Sequence, residues 1–309
     1  MVTPPSLART NSHACAPKSG PQIGKRASAT PEAKRATATL RPHRSGQSPH
    51  LQSATPPSRP VGVANVTELG LNFPTAWSRR LPATALRDLI LTVIATPLTR
   101  RLTTMDIRGR ENLPPPGTTT IYTSNHTSHL DTIIALAALN RSRRRRTVVA
   151  AASDTFFTKL STARITVLLV NAIPIERHKV NRQSAAQAIE ILKHGWDLLI
   201  YPEGGRTPTG QMLEFKGGAA YLAERSNAVV VPTFMVGAGE WLSSYAKAPM
   251  YLEMPRRWRS PVTVAFGTPL SIEEGENIRR FGQRIQDSVI ELARQTTGDP
   301  TWGSHLKSQ

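Results

Sequence analysis

Apolar residues are sparse and aperiodic over the first sixty positions, and from Leu81 onward they gather into stripes and runs. The first concentration is Leu86–Leu98, where Leu86, Leu89, Ile90, Leu91, Val93 and Ile94 are interrupted mainly by Arg87, Asp88 and threonines. At about 13 residues this stretch falls short of the roughly 18 that cross a bilayer. Arg79 and Arg80 precede it, Arg100 and Arg101 follow it, and Trp77 stands nearby. The segment near 82–98 therefore reads as a helix that either lies in a membrane interface or packs into the core.

Beyond Thr118 the pattern alternates. Apolar runs bounded by turn residues predict strands at Thr119–Thr123, Thr147–Ala152, Ile173–Ile175, Asp197–Tyr201, Ala228–Val236 and Pro261–Gly267. Helical spacing predicts helices over His129–Leu139, from an Asp154 cap to about Leu168, and over Arg182–His194 and Gly217–Arg225. A last helix reads as opening with Ser271 and Glu274 at capping-box spacing, with Ile278, Phe281, Ile285, Val289 and Leu292 as its apolar stripe. Strands alternating with helices predict an α/β fold, a central mixed sheet flanked by helices.

Composition changes the picture at the amino end. Residues 1–60 hold ten prolines and nine Lys/Arg against the single acid Glu32. Such a segment cannot bury enough apolar surface to offset its ordering entropy, so residues 1–66 are expected to be a disordered basic tail and 67–309 a single domain. No apolar h-region follows the start, so no signal peptide is expected. The whole chain of 309 residues carries +18, which favours anionic partners: nucleic acid, an anionic membrane surface, or acidic substrates. The one cysteine, Cys15, excludes a disulfide framework or a Cys-based metal site.

Two stretches carry chemistry. Ser124-Asn125-His126-Thr127-Ser128-His129-Leu130-Asp131 lies where a strand ends and a helix begins. The spacing of His126 and Asp131 lets the carboxylate reach one imidazole nitrogen and leaves the other as a general base. Tyr201-Pro202-Glu203-Gly204-Gly205-Arg206-Thr207 also follows a strand; its glycines allow close backbone approach, and Arg206 offers a fork suited to phosphate. Phe215-Lys216-Gly217-Gly218 adds a base at a helix start. A His126/His129 metal pair lacks further ligands at zinc spacing, so no metal is expected, and His129 reads as a bystander. The run Arg141, Arg143, Arg144, Arg145, Arg146 reads as a solvated loop, with anionic lipid, CoA phosphates or an acidic carrier as its other uses. The cluster Arg256-Arg257-Trp258-Arg259 admits the same readings.

Together these stretches resemble the glycerolipid acyltransferases, specifically the 1-acylglycerol-3-phosphate acyltransferase family. His126 and Asp131 resemble the family's His-x4-Asp box, and Glu203-Gly-Gly-Arg206 its Glu-Gly-x-Arg box. Ile173-Pro174-Ile175-Glu176-Arg177 resembles the block between them, and Val229-Val230-Val231-Pro232 the last block. Gly205 stands where many members carry threonine, and Asn171 and Pro174 where many carry glycine and phenylalanine.

The resemblance implies transfer of an acyl group from acyl-CoA or acyl carrier protein, as co-substrate, to a lysophospholipid, most simply 1-acylglycerol-3-phosphate. No cofactor is implied. His126 is then the base and Asp131 its partner. Glu203, Gly204, Gly205, Arg206 and Thr207 hold the acceptor's glycerol phosphate, with Arg177 and Lys216 as further phosphate ligands. It implies a peripheral or monotopic enzyme on the cytoplasmic face of a membrane. Another lyso-lipid acceptor is the alternative. A basic nucleic-acid-binding protein is a remote one, since no nucleic-acid-binding motif is evident and nucleic acid is not an expected partner.

Overall fold

The computed structural model describes residues 69–177, 182–206, 211–241 and 259–306. The expected tail, Thr207 and residues 256–258 of the late basic cluster lie outside these. Seven strands form one mixed sheet: β1 (Thr103–Arg108), β2 (Thr120–Ser124), β3 (Thr147–Ala152), β4 (Ala172–Ile175), β5 (Asp197–Ile200), β6 (Val229–Val236) and β7 (Ser260–Phe266). Their order is β1-β7-β6-β2-β5-β3-β4. The run β6-β2-β5-β3-β4 is parallel throughout, and the only antiparallel pairing among described residues is β6 with β7.

The central strands are apolar runs because both faces are covered. Ile121, Val148, Leu198 and Val230 face helices Arg182–Lys193, Gly218–Ser226 and Ile278–Thr297. Their neighbours Tyr122, Val149, Leu199 and Val231 pack on the other side with Ile134 and Leu136 of helix Asp131–Ala138 and with Leu91. In the stripe of the last helix Phe281, Ile285 and Val289 are buried.

Several expectations need correction. The last helix begins at Ile278, where Asn277 Oδ1 accepts from the Arg280 amide at 2.8 Å. Ser271 does not cap it, because Leu270 is pinned to β6 by two backbone hydrogen bonds with Val230 and the chain turns through 271–277 before coiling. Asp154 sits inside a single turn, Ser153–Phe156, and the helix proper is Leu160–Val170. The edge strand β1 was not anticipated; its alternately exposed, polar sequence carries no apolar run.

The arginine run is a helix, Arg141–Arg146, whose Asn140 side chain caps the Arg143 amide. Two of its guanidiniums, those of Arg143 and Arg144, reach inward, while Arg141 and Arg145 stay largely exposed. Arg143 is 6% exposed and donates to Tyr122 Oη at 3.0 Å and to the Pro114 carbonyl. Asp197, fully buried at the start of β5, lies 3.8 Å from Arg143 and 3.4 Å from Arg146.

The amino-terminal apolar helix is also longer than its sequence suggests. It runs unbroken over Leu81–Leu102, 22 residues, with a π-helical middle at Ile90–Ala95 just before Pro97. By length and composition it suffices to cross a membrane. One face exposes Leu86, Leu89, Val93, Ile94 and Leu98. The opposite face is tied down: Asp88 receives Arg141 at 2.7 Å, while Arg144 donates to Thr92 at 2.8 Å and Thr96 at 3.0 Å.

Candidate active site

The register of the central strands sets the site. Thr123 of β2 pairs with Ile200 of β5, so the chain leaves the sheet at adjacent points, with Asn125–His126 beside Tyr201–Glu203. Carboxyl ends of parallel strands are where such sheets hold ligands. Asn125 anchors the exit by donating to Met235 O and accepting from Met235 N, both at 2.8 Å.

Asp131 is fully buried, and one of its oxygens, Oδ2, takes three hydrogen bonds: His126 Nδ1 at 2.9 Å, Thr127 N at 2.7 Å and Ser128 N at 2.8 Å. Both amides lie in the turn before the helix begins at Asp131, so the turn itself orients the carboxylate. With Nδ1 facing Asp131, the imidazole's Nε2 is the nitrogen left for a reacting group. The ring lies flat on Tyr201, centroids 4.0 Å apart at 17°, and Tyr201 Oη is 3.1 Å from Thr132 Oγ1. Burial raises the Tyr201 phenol well above its ordinary range, so it stays protonated.

Glu203 joins the two boxes. It accepts from the His126 amide at 2.7 Å through one oxygen and from the Leu213 amide at 2.8 Å through the other. Burial pushes its carboxyl up to about 7 against the pull of those amides, and Asp131 nearby adds to the rise. Gly204 has φ of +73°, and a Cβ there would lie 2.4 Å from Lys216 Nζ. The positive φ is what requires the glycine, since the flexible end of Lys216 can shift aside. The Lys216 ammonium in turn donates to the Arg177 carbonyl at 2.7 Å, tying the block after β4 to the turn after β5.

Around these groups lies a cavity of about 410 Å³ with two characters. His126, His129, Arg177, Gly204, Gly205 and Arg206 line one part; Val149, Ala151, Ile165, Leu169 and Val170 line another. Arg177 also pairs with the half-exposed Asp154 at 2.6 Å. Arg206 is hydrogen-bonded to His129 Nε2. Burial, Arg206 and His126 lower His129 to about 4, so its imidazole is neutral at ordinary pH. The arrangement presents a base, two guanidiniums and an apolar recess in one chamber.

The structure thus brings His126, Asp131, Glu203, Gly204, Gly205, Arg206 and Arg177 together, with Lys216 bracing them from behind. Sequence reasoning missed three participants. Tyr201 was legible as the residue closing β5 on the same face as Leu199. His129 and Asp154 gave no such signal, since their partners Arg206 and Arg177 lie 77 and 23 residues away. Asn171 answers a further question: its φ of 55° suits glycine or asparagine, and its side chain bonds Ser78 Oγ at 2.8 Å. Among the described residues, no group of three or more His, Cys, Asp or Glu side chains is arranged to hold a metal.

Residues 104–236 match the family model described as acyltransferase. The chain is 31% identical over 142 residues to the chloroplastic 1-acyl-sn-glycerol-3-phosphate acyltransferase BAT2 of Brassica napus, covering 44% of this chain and 38% of that one. It is 33% identical over 147 residues to a 1-acyl-sn-glycerol-3-phosphate acyltransferase of Chlamydomonas reinhardtii, covering 45% and 40%. The chain thus spans less than half the length of these relatives. The crystal structure of the 1-acyl-sn-glycerophosphate acyltransferase PlsC from Thermotoga maritima superposes with a TM-score of 0.51 at 19% identity, over 70% of this chain and 83% of that one, a likeness of fold.

Proposed function

We propose, on the premise that residues 104–236 are an acyltransferase-family domain, that this protein acylates the free hydroxyl of 1-acylglycerol-3-phosphate to give phosphatidic acid. The observation that carries this reading is the buried Asp131–His126 pair opening onto a cavity that also holds Arg206 and Arg177. In the reaction His126 Nε2 takes the proton of the acceptor hydroxyl as its oxygen attacks the thioester carbonyl. Asp131 keeps the proton of the imidazole on Nδ1 and stabilises the imidazolium. The tetrahedral intermediate collapses, the C–S bond breaks, and the thiolate leaves with the proton that His126 held. No covalent enzyme intermediate is required. Arg206 and Arg177 bind the acceptor phosphate and Gly204–Gly205 lets it approach the backbone, while the apolar recess accommodates an acyl chain.

The membrane reading follows from the amino-terminal helix. Its exposed leucines, valine and isoleucine suit a lipid surface, while Asp88, Thr92 and Thr96 are held by arginines of the sheet domain. A helix so fastened along one side supports a monotopic seat better than a span, which would surround it with lipid, and the cytoplasmic face is part of the proposal. Anionic headgroups would add roughly 1 kcal/mol per nearby basic residue.

The test is thiol release by the purified protein with acyl-CoA, and separately with acyl carrier protein, across an acceptor panel. Release on adding lysophosphatidic acid, with phosphatidic acid formed, is expected. Release only with an acceptor lacking phosphate would reassign the arginines. A DNA gel shift that weakens with salt, with no thiol release, would favour the nucleic-acid reading.

A further inference from the structure

The chamber contains a cation whose partner is unusual. Among the described residues no carboxylate pairs with Arg206, and the acceptor of its guanidinium hydrogen bond is the imidazole of His129. His129 stands in the turn just before helix Asp131–Ala138, on the loop that also carries His126. Both His129 and Arg206 line the cavity.

We infer that His129 is a positioning residue for the acceptor phosphate: it orients Arg206 as a neutral hydrogen-bond acceptor, so the guanidinium is aimed without being neutralised. This rests on the proposal that Arg206 binds that phosphate. The physical reason lies in what the alternatives would do. An aspartate or glutamate in its place would orient the arginine equally well but cancel the charge an incoming dianion must meet. An apolar side chain would preserve the charge but leave the long side chain to find its geometry on binding, at a cost in rotamer entropy. A neutral imidazole does neither. The groups facing His129 favour that neutral form: Arg206 from the turn after β5 and His126 from its own turn both repel a second proton, and only Asp131 opposes them. The pairing also explains why a histidine follows the base by three residues without assisting it.

The experiment measures steady-state acylation of lysophosphatidic acid from acyl-CoA by the full chain and five variants: Arg206→Ala, His129→Phe, His129→Gln, His129→Asp and the Arg206→Ala/His129→Phe double variant. His129→Phe is expected to raise the acceptor KM about tenfold, the scale of one hydrogen bond to a charged group, with kcat and donor KM nearly unchanged. His129→Gln, whose amide oxygen can accept the same bond, should restore most of the loss. His129→Asp should not, since it brings a compensating charge. In the Arg206→Ala background, His129→Phe should cost nothing further. If Arg206→Ala itself leaves acceptor KM unaltered, the phosphate assignment of Arg206 fails, and this inference with it. If Arg206→Ala raises KM but His129→Phe acts equally with or without Arg206, the positioning role alone is overturned. His129→Asp matching the parent would show that any acceptor suffices and would overturn the requirement for neutrality.

Discussion

The two ends of the parallel sheet are both rich in arginine and use it in opposite ways. At the amino end, where β2, β3 and β5 begin, Arg143 and Arg146 surround the buried Asp197, and Arg141 and Arg144 clasp Asp88, Thr92 and Thr96 of the amino-terminal helix. At the carboxyl end, Arg206 meets only an imidazole among the described residues, and Arg177 a half-exposed aspartate. The densest run of positive charge in the sequence is therefore structural, while two scattered arginines face the cavity. Charge density does not mark a binding site; charge left without a buried counter-ion beside a cavity does.

The sharpest way to break this contrast is to substitute at both ends and compare activity with stability. His126→Ala should reduce kcat by ~10²–10⁴ and lower the melting temperature only modestly, because buried Asp131 loses one hydrogen bond but keeps those of the Thr127 and Ser128 amides. Asp131→Asn should approach that loss through the wrong tautomer, and kcat near the parent's would make the carboxylate merely a cap for the turn. His129→Ala should keep most of kcat, and an equal loss there would undo the assignment of His126.

At the other end Arg143→Met should leave kcat per folded molecule intact. Its cost should be ~3–5 kcal/mol of stability by denaturant titration, since the fully buried Asp197 loses the buried one of its two counter-charges and keeps only the partly exposed Arg146. Loss of turnover without loss of stability would contradict the division. A smaller effect, about tenfold on acceptor KM, is expected for Arg206→Lys, where a point charge replaces a fork. Raised donor KM instead would reassign the turn to the thioester substrate.

The pH dependence of stability supplies a finer measure. Burial raises Glu203 from 4.5 to about 7, so the folded protein holds a proton there that the unfolded chain has released. That contribution falls as pH rises through this window. His129 is lowered from 6.5 to about 4, so the unfolded chain takes a proton the folded one refuses, and its contribution grows with pH across that window. The two slopes oppose each other between 4.5 and 6.5. Glu203→Gln should steepen the gain in stability with rising pH, and His129→Gln should flatten or invert it, read from denaturation midpoints at both pH values. The smallest effect belongs to Arg141→Ala: its guanidinium is mostly exposed and Arg145 remains 3.8 Å from Asp88, so stability should fall only slightly while salt-resistant binding to anionic liposomes loosens. Unchanged liposome binding would separate the arginine clasp from the membrane seat.

What the sequence disclosed, it disclosed through local spacing. His126 and Asp131 lie within one turn, and Glu203 to Arg206 within another, so their meaning needs no distant partner. The central strands were legible because burial on both faces forces continuous apolar runs. The arginine helix was not, because a run of like charges says nothing of Asp88 and Asp197, which lie 51 and more residues away in the chain. The amino-terminal helix reads as short because its apolar run, interrupted by threonines, spans only Leu86 to Leu98 while the helix runs from Leu81 to Leu102. In the fold those threonines bond the arginines, and a π-helical segment precedes Pro97, which cannot donate to the helical ladder.

Glu203 has a bearing on how the proposed activity could change its diet. Its two oxygens fasten the backbone of His126, the proposed base, and that of Leu213, so altering it would disturb the proposed chemistry along with recognition. Gly205 stands two residues on, lines the chamber, and has open space where a side chain would project. Recognition is therefore separable from turnover at the far end of the turn and fused to it at the near end. On the proposed function, an engineer or a lineage seeking a new acceptor would begin at Gly205, where novelty can be tried without dismantling the machine.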